Sequence, residues 1–238
     1  MHARPPGRAR ALAFAAPLVL VLGAWNNVVV PRLPGLPGSY VPVNVAATVV
    51  LLVAARAAGL SWRDLGLDRR RLTVGLRWGG LPAAVVAAGC AAGLAIPAVR
   101  PLFADARLAG ADGGEVAYQV LVRIPLGTVL WEEVAFRGVL LAALARLVSL
   151  PAATAAAAVV FGFWHVRPTL SAVAANDLVD GPVLRGLAVV LGCAVTAAAG
   201  VLFTWLRLRS GSLLAPVLLH LATNTLGTLA AAAAHRLG

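Results

Sequence analysis

Three short polar insertions interrupt otherwise apolar runs, and their residue types are those of hydrolytic chemistry. The first is Leu130-Trp131-Glu132-Glu133-Val134-Ala135-Phe136-Arg137-Gly138. Two of the protein's three glutamates stand here side by side. On a helix, adjacent carboxylates point about 100° apart and cannot share one partner. Glu133 and Arg137 are spaced i,i+4, which suits an ion pair on one face. Glu132 is then left without a local counterion. A carboxylate so placed among apolar side chains is suited to proton transfer near neutral pH. Read alone, the segment is equally compatible with a helix end bearing two solvated glutamates.

The second insertion is Phe161-Gly162-Phe163-Trp164-His165, where His165 closes an alanine-rich apolar run. The third is His220-Leu221-Ala222-Thr223-Asn224, with His220 and Asn224 on one helical face. A lone buried histidine is ordinarily structural, and a His/Asn pair can simply join two membrane helices. The combination carries more weight. Of the four histidines, His2 and His235 are near the ends, and both interior ones fall in these insertions. A carboxylate, two imidazoles and an amide from three apolar segments supply a base, a proton-sharing group and oxyanion donors.

The elements that position these groups are membrane helices. The chain has 238 residues, 61% hydrophobic and 12% charged, with mean hydropathy +0.88. Soluble domains carry roughly twice that charged fraction. The sequence therefore reads as all-α, a polytopic transmembrane bundle of about seven to eight helices. Seven spans are expected, at 11–30, 41–59, 77–98, 115–148, 151–165, 183–206 and 212–234. The fourth is too long for a simple crossing, and Pro125 and Gly127 should break or kink it. Residues 99–114 and 168–181 read as loops, the former a possible gate. The expected organisation is an N-terminal part, 1–114, packed in one membrane domain with a core, 115–238.

All 20 basic residues are arginines, against nine acids. They are scattered between apolar runs, which excludes a nucleic-acid-binding face and suggests topology signals and headgroup contacts. With the N-terminus cytoplasmic, Arg4, Arg8, Arg10, Arg63, Arg69, Arg70, Arg71, Arg77, Arg146, Arg207 and Arg209 share that side. Arg32, Arg100, Arg107, Arg167, Arg185 and Arg236 take the other. The excess favours N-in and C-out in a cell membrane. Met1–Arg10 resembles a signal-peptide n-region, but no small-residue cleavage site follows, so an uncleaved first helix is expected. An Ala- and Arg-rich chain without lysine hints at a GC-rich bacterial genome. Cys90 and Cys193 match no metal spacing and read as buried thiols. Asn26, Asn27 and Asn44 read as interhelical hydrogen bonds, Arg123 as a buried counterion, and Arg56 as snorkelling to the interface.

At the three insertions the chain resembles the CPBP intramembrane proteases, which include CAAX prenyl endopeptidases and Abi-like bacteriocin-processing or immunity proteins. EExxxR matches Glu132, Glu133 and Arg137; FxxxH matches Phe161 and His165; HxxxN matches His220 and Asn224. Gly211-Ser212-Leu213-Leu214-Ala215-Pro216 and, more weakly, Leu65-Gly66-Leu67 are also similar. The resemblance spans about 115–228. It implies a membrane protease acting on a membrane-associated protein or peptide. Glu132 would activate water with His165, His220 and Asn224 would stabilise the oxyanion, and Glu133, Arg137 and Phe161 would support them. It allows either a metal-free site or zinc held by Glu132, His165 and His220, and the metal-free form is the expectation. Prenyl chemistry is not carried over with the motifs. Two other classes compete: a non-catalytic scaffold or immunity protein using the same cavity, and a proton-coupled transporter, which would show inverted repeats.

Overall fold

The computed structural model describes residues 7–237, so Arg4 and His2 lie outside the described residues. Among the described residues all regular elements are helices and there is no strand. In chain order the helices are α1 (Arg8–Arg32), α2 (Tyr40–Ala57), α3 (Leu72–Ala95), α4 (113–144), α5 (Leu150–Trp164), α6 (Val166–Ala175), α7 (Pro182–Ser210) and α8 (Leu214–Leu237). Five of them, α1, α2, α3, α7 and α8, are long and apolar enough to cross a bilayer. Helices are the expected solution, because a backbone without water must satisfy its own hydrogen bonds. The exterior is correspondingly apolar: Leu20, Val50, Val85 and Val190 are each well exposed.

Several elements differ from the sequence reading. The expected loop at 168–181 contains α6, because Pro168 sits in the first turn, where its missing N–H costs nothing. α3 begins at Leu72 rather than 77, so Arg77 lies more than one turn inside the helix. α7 runs to Ser210, which puts Arg207 and Arg209 in its last turns. Pro125 and Gly127 do not break α4. The helix instead widens to π winding over Gln119–Val129, returns to α for Leu130–Glu132, and widens again over Glu133–Leu140. The wider turn carries the backbone past a proline that would clash with an ordinary one.

The helices alternate between two ends. At one, Arg146 donates to the carbonyls of Ala58 and Gly59, and Arg207 to those of Arg63 and Asp64. At the other, Asn27 accepts from the Arg167 amide, Arg100 donates to the Leu237 carbonyl, and His235 meets the Asp105 carbonyl. Asn44 ties α1 to α4, accepting from Trp25 (2.9 Å) and donating to the Gly127 carbonyl (2.8 Å). Asn27 donates to the Phe163 carbonyl. These two are the interhelical bonds expected of them. Arg56, near the end of α2, bonds the Leu60 carbonyl and lies over Trp62.

Small residues set the close contacts. A Cβ on Gly162 would lie 2.7 Å from the Cys193 carbonyl, so α5 meets α7 backbone to side-chain-free backbone. The α7–α8 turn is held by Gly66: its carbonyl accepts from Leu213 N, and its positive φ leaves room for the Arg207 guanidinium. This gives the Leu65-Gly66-Leu67 stretch a structural role. Cys90 and Cys193 are free thiols, but partly exposed rather than buried.

Candidate active site

α4 brings Glu132, Glu133 and Arg137 into the bundle centre, where all three are almost fully buried: 3%, 0% and 1% exposed. That rules out solvated glutamates at a helix end. Trp131, Val134, Phe136, Phe161 and Trp164 pack around them. A buried charge requires a partner, and Glu133 has two. Arg137 donates to its Oε1 at 3.1 Å, and His220 Nδ1 lies 2.8 Å from the same oxygen. The Arg137 guanidinium also lies 3.9 Å from the Phe161 ring centroid and 4.9 Å from that of Phe203. Phe203 stacks on His220.

Glu132 is held differently. Its Oε1 accepts from Trp164 Nε1 at 3.0 Å. Its Oε2 is buried and has no hydrogen-bond partner among the described residues. The Nε2 atoms of His165 and His220 each lie 3.9 Å from that oxygen. This separation is too long for a hydrogen bond, and one water at about 2.8 Å from both atoms spans it. The structure thus brings together Glu132, His165 and His220, from α4, the α5–α6 joint and α8.

The two imidazoles are oriented by unlike groups. His165 Nδ1 lies 2.7 Å from the Phe161 carbonyl. A carbonyl only accepts, so Nδ1 carries hydrogen, and in the neutral ring Nε2 presents a lone pair to Glu132. His220 Nδ1 faces the Glu133 carboxylate, which likewise only accepts, so this nitrogen carries hydrogen too.

Asn224 is not drawn into this contact set. It is partly exposed, in a π-wound turn, and its Oδ1 accepts from Thr223 at 3.4 Å. Its NH2 makes no hydrogen bond among the described residues. Arg123, expected as a buried counterion, has no carboxylate partner among the described residues. It bonds Gln119 at 3.1 Å and lies over the Tyr40 ring. Trp164 was not singled out from sequence. Only its position beside His165 hinted at a role, because its bond to Glu132 crosses 32 residues.

The zinc alternative can be tested on donor spacing. Donors about 2.0–2.1 Å from a tetrahedral zinc stand about 3.3 Å apart. The two Nε2–Oε2 separations of 3.9 Å are wider. Among the described residues no three His, Cys, Asp or Glu side chains close on a metal-sized point. The donor types suit zinc.

Comparison with known proteins bears on the same stretch. No curated protein and no solved structure matches the chain. Residues 115–226 match the family described as type II CAAX prenyl endopeptidase Rce1-like. All three motifs lie in order within that stretch, so the resemblance to CPBP membrane proteases stands, carried by residues 115–226 of this chain.

Proposed function

We propose that the protein is an endopeptidase that hydrolyses a peptide bond in a membrane-associated protein or peptide. The observation that carries this reading is the buried, unpartnered Oε2 of Glu132, equidistant from two imidazole nitrogens. In this reading a water sits against Glu132 Oε2 and His165 Nε2. These two groups take its proton as its oxygen attacks the scissile carbonyl. His220, held through Nδ1 by Glu133, donates from Nε2 to the developing oxyanion. Asn224 contributes its free NH2 once substrate is bound. Trp164 fixes the Glu132 carboxylate so that Oε2, not Oε1, faces the water. Glu133, Arg137 and Phe161 hold the imidazoles. The proton taken by Glu132 or His165 then passes to the leaving amine. No step requires a metal. In this reading the protein lies in the cell membrane with its arginine-rich end facing the cytoplasm.

Replacing Glu132 by Gln keeps the size and removes the base. Membranes from cells carrying Glu132→Gln should accumulate a precursor that the parent protein cleaves, read by comparative proteomics. Undiminished cleavage overturns the proposal, and rescue of a deletion phenotype by Glu132→Ala favours a non-catalytic scaffold. Purified protein should keep its activity in chelator. Complete loss restored by zinc would show that the donors close around a metal.

A further inference from the structure

We propose that the groove between α3 and α7 holds one anionic phospholipid, with its acyl chain in the groove and its phosphate at Arg77 and Arg209. The groove has a volume of about 480 Å³ and is lined by Trp78, Leu81, Val85, Leu202 and Trp205, with Arg77 at its mouth. Its floor is formed by the buried Leu206 and Leu219.

Three observations identify the occupant. First, the charge is confined to one end. Arg77 lines the groove, and Arg209 lies over the Trp205 ring at 5.9 Å. Neither arginine has a carboxylate partner among the described residues. Second, the depth fits one leaflet. Arg77 and Val85 are eight residues apart on α3, or about 12 Å, and half a hydrocarbon core is about 15 Å. A chain entering beside the arginines therefore stays within the leaflet whose headgroups they reach. Third, the walls are membrane spans, and the exposed Leu81 and Val85 leave the groove open sideways to lipid. Trp78 and Trp205 meet edge to face at 5.4 Å, placing aromatic rings at headgroup level beside the cations. Basic pockets between membrane helices select anionic headgroups in this way. Free phosphate would use the arginines and leave the apolar walls uncovered.

The proposal does not depend on proteolysis, so its test needs no substrate. The full-length protein, stripped of lipid in detergent, is titrated with phosphatidylglycerol or phosphatidylcholine and examined by native mass spectrometry. Each basic residue should favour the anionic lipid roughly fivefold, so one phosphatidylglycerol should be retained about 25-fold better than phosphatidylcholine. Arg77→Gln with Arg209→Gln should erase that preference. Val85→Trp, at an exposed position, should fill the groove and reduce retention of the anionic lipid at least tenfold. Equal retention of the two lipids overturns the proposal. So does a preference that survives the double arginine substitution, displacement of the lipid by inorganic phosphate alone, or a lipid-free dimer sealed across this face.

Discussion

At the residue scale, the site separates what local spacing can reveal from what it cannot. The Glu133–Arg137 pair was legible because i,i+4 residues on a helix must meet, and the two are bonded at 3.1 Å. The lack of a local counterion for Glu132 followed by elimination. The Trp164 bond to Glu132 was not legible, because it depends on how α5 faces α4. The same spacing rule placed Asn224 with His220, yet its amide turns to Thr223. Trp164→Phe isolates the indole N–H while keeping most of the ring volume. A hydrogen bond to a charged group contributes about 1.5–3 kcal/mol, so cleavage of the precursor found with Glu132→Gln should fall roughly tenfold to a hundredfold. Protein abundance in the membrane should change little. Unaltered cleavage would reduce Trp164 to packing.

At the element scale, the apolar runs were legible and their boundaries and winding less so. The seven expected spans correspond to seven of the eight helices, since a stretch long enough to cross lipid has little choice but to be helical. α6 was read as a loop because Pro168 and Gly181 suggested breakers, although proline is harmless in a first turn. The 99–114 stretch, read as a possible gate, ends in the first residues of α4, and its connecting part is tied down. Asp105 binds Arg107 at 2.5 Å and accepts from Asn176 at 3.2 Å, and Asn176 accepts from Ala106 N at 2.7 Å. Hydrogen bonding from Arg107 above all, opposed by partial burial, holds the Asp105 carboxyl at about 2. A depressed carboxylate stabilises above its unfolded value, near 3.8, and loses that contribution as pH falls through 2. Amide exchange across 100–112 should therefore show no opening attributable to Asp105 between pH 5 and 8. Asp105→Asn should speed that exchange severalfold at pH 7 and leave α7 unchanged.

At the scale of the whole molecule, arginine placement divides the ends as the hydrogen bonds do. Arg146 and Arg207 bond carbonyls of residues 58–64 at one end; at the other, Arg100 bonds the Leu237 carbonyl, Arg107 the Asp105 carboxylate, and the Arg167 amide the Asn27 side chain. Which end faces the cytoplasm has a direct readout. With Cys90 and Cys193 replaced by alanine, an impermeant thiol reagent added to intact cells should label Asp112→Cys and spare Asp68→Cys. The reverse pattern inverts the assignment. The widened turns of α4 lead further. Deleting one residue between 133 and 140 leaves ample length to span the bilayer and lets the segment relax to ordinary winding. A widened turn holds about one residue more than an ordinary one, so the excision takes up that surplus and the turns on either side keep their faces. An excision between Glu133 and Arg137 would still bring that pair from i,i+4 to i,i+3, so the buried charges depend on how many residues this helix has as well as on which ones.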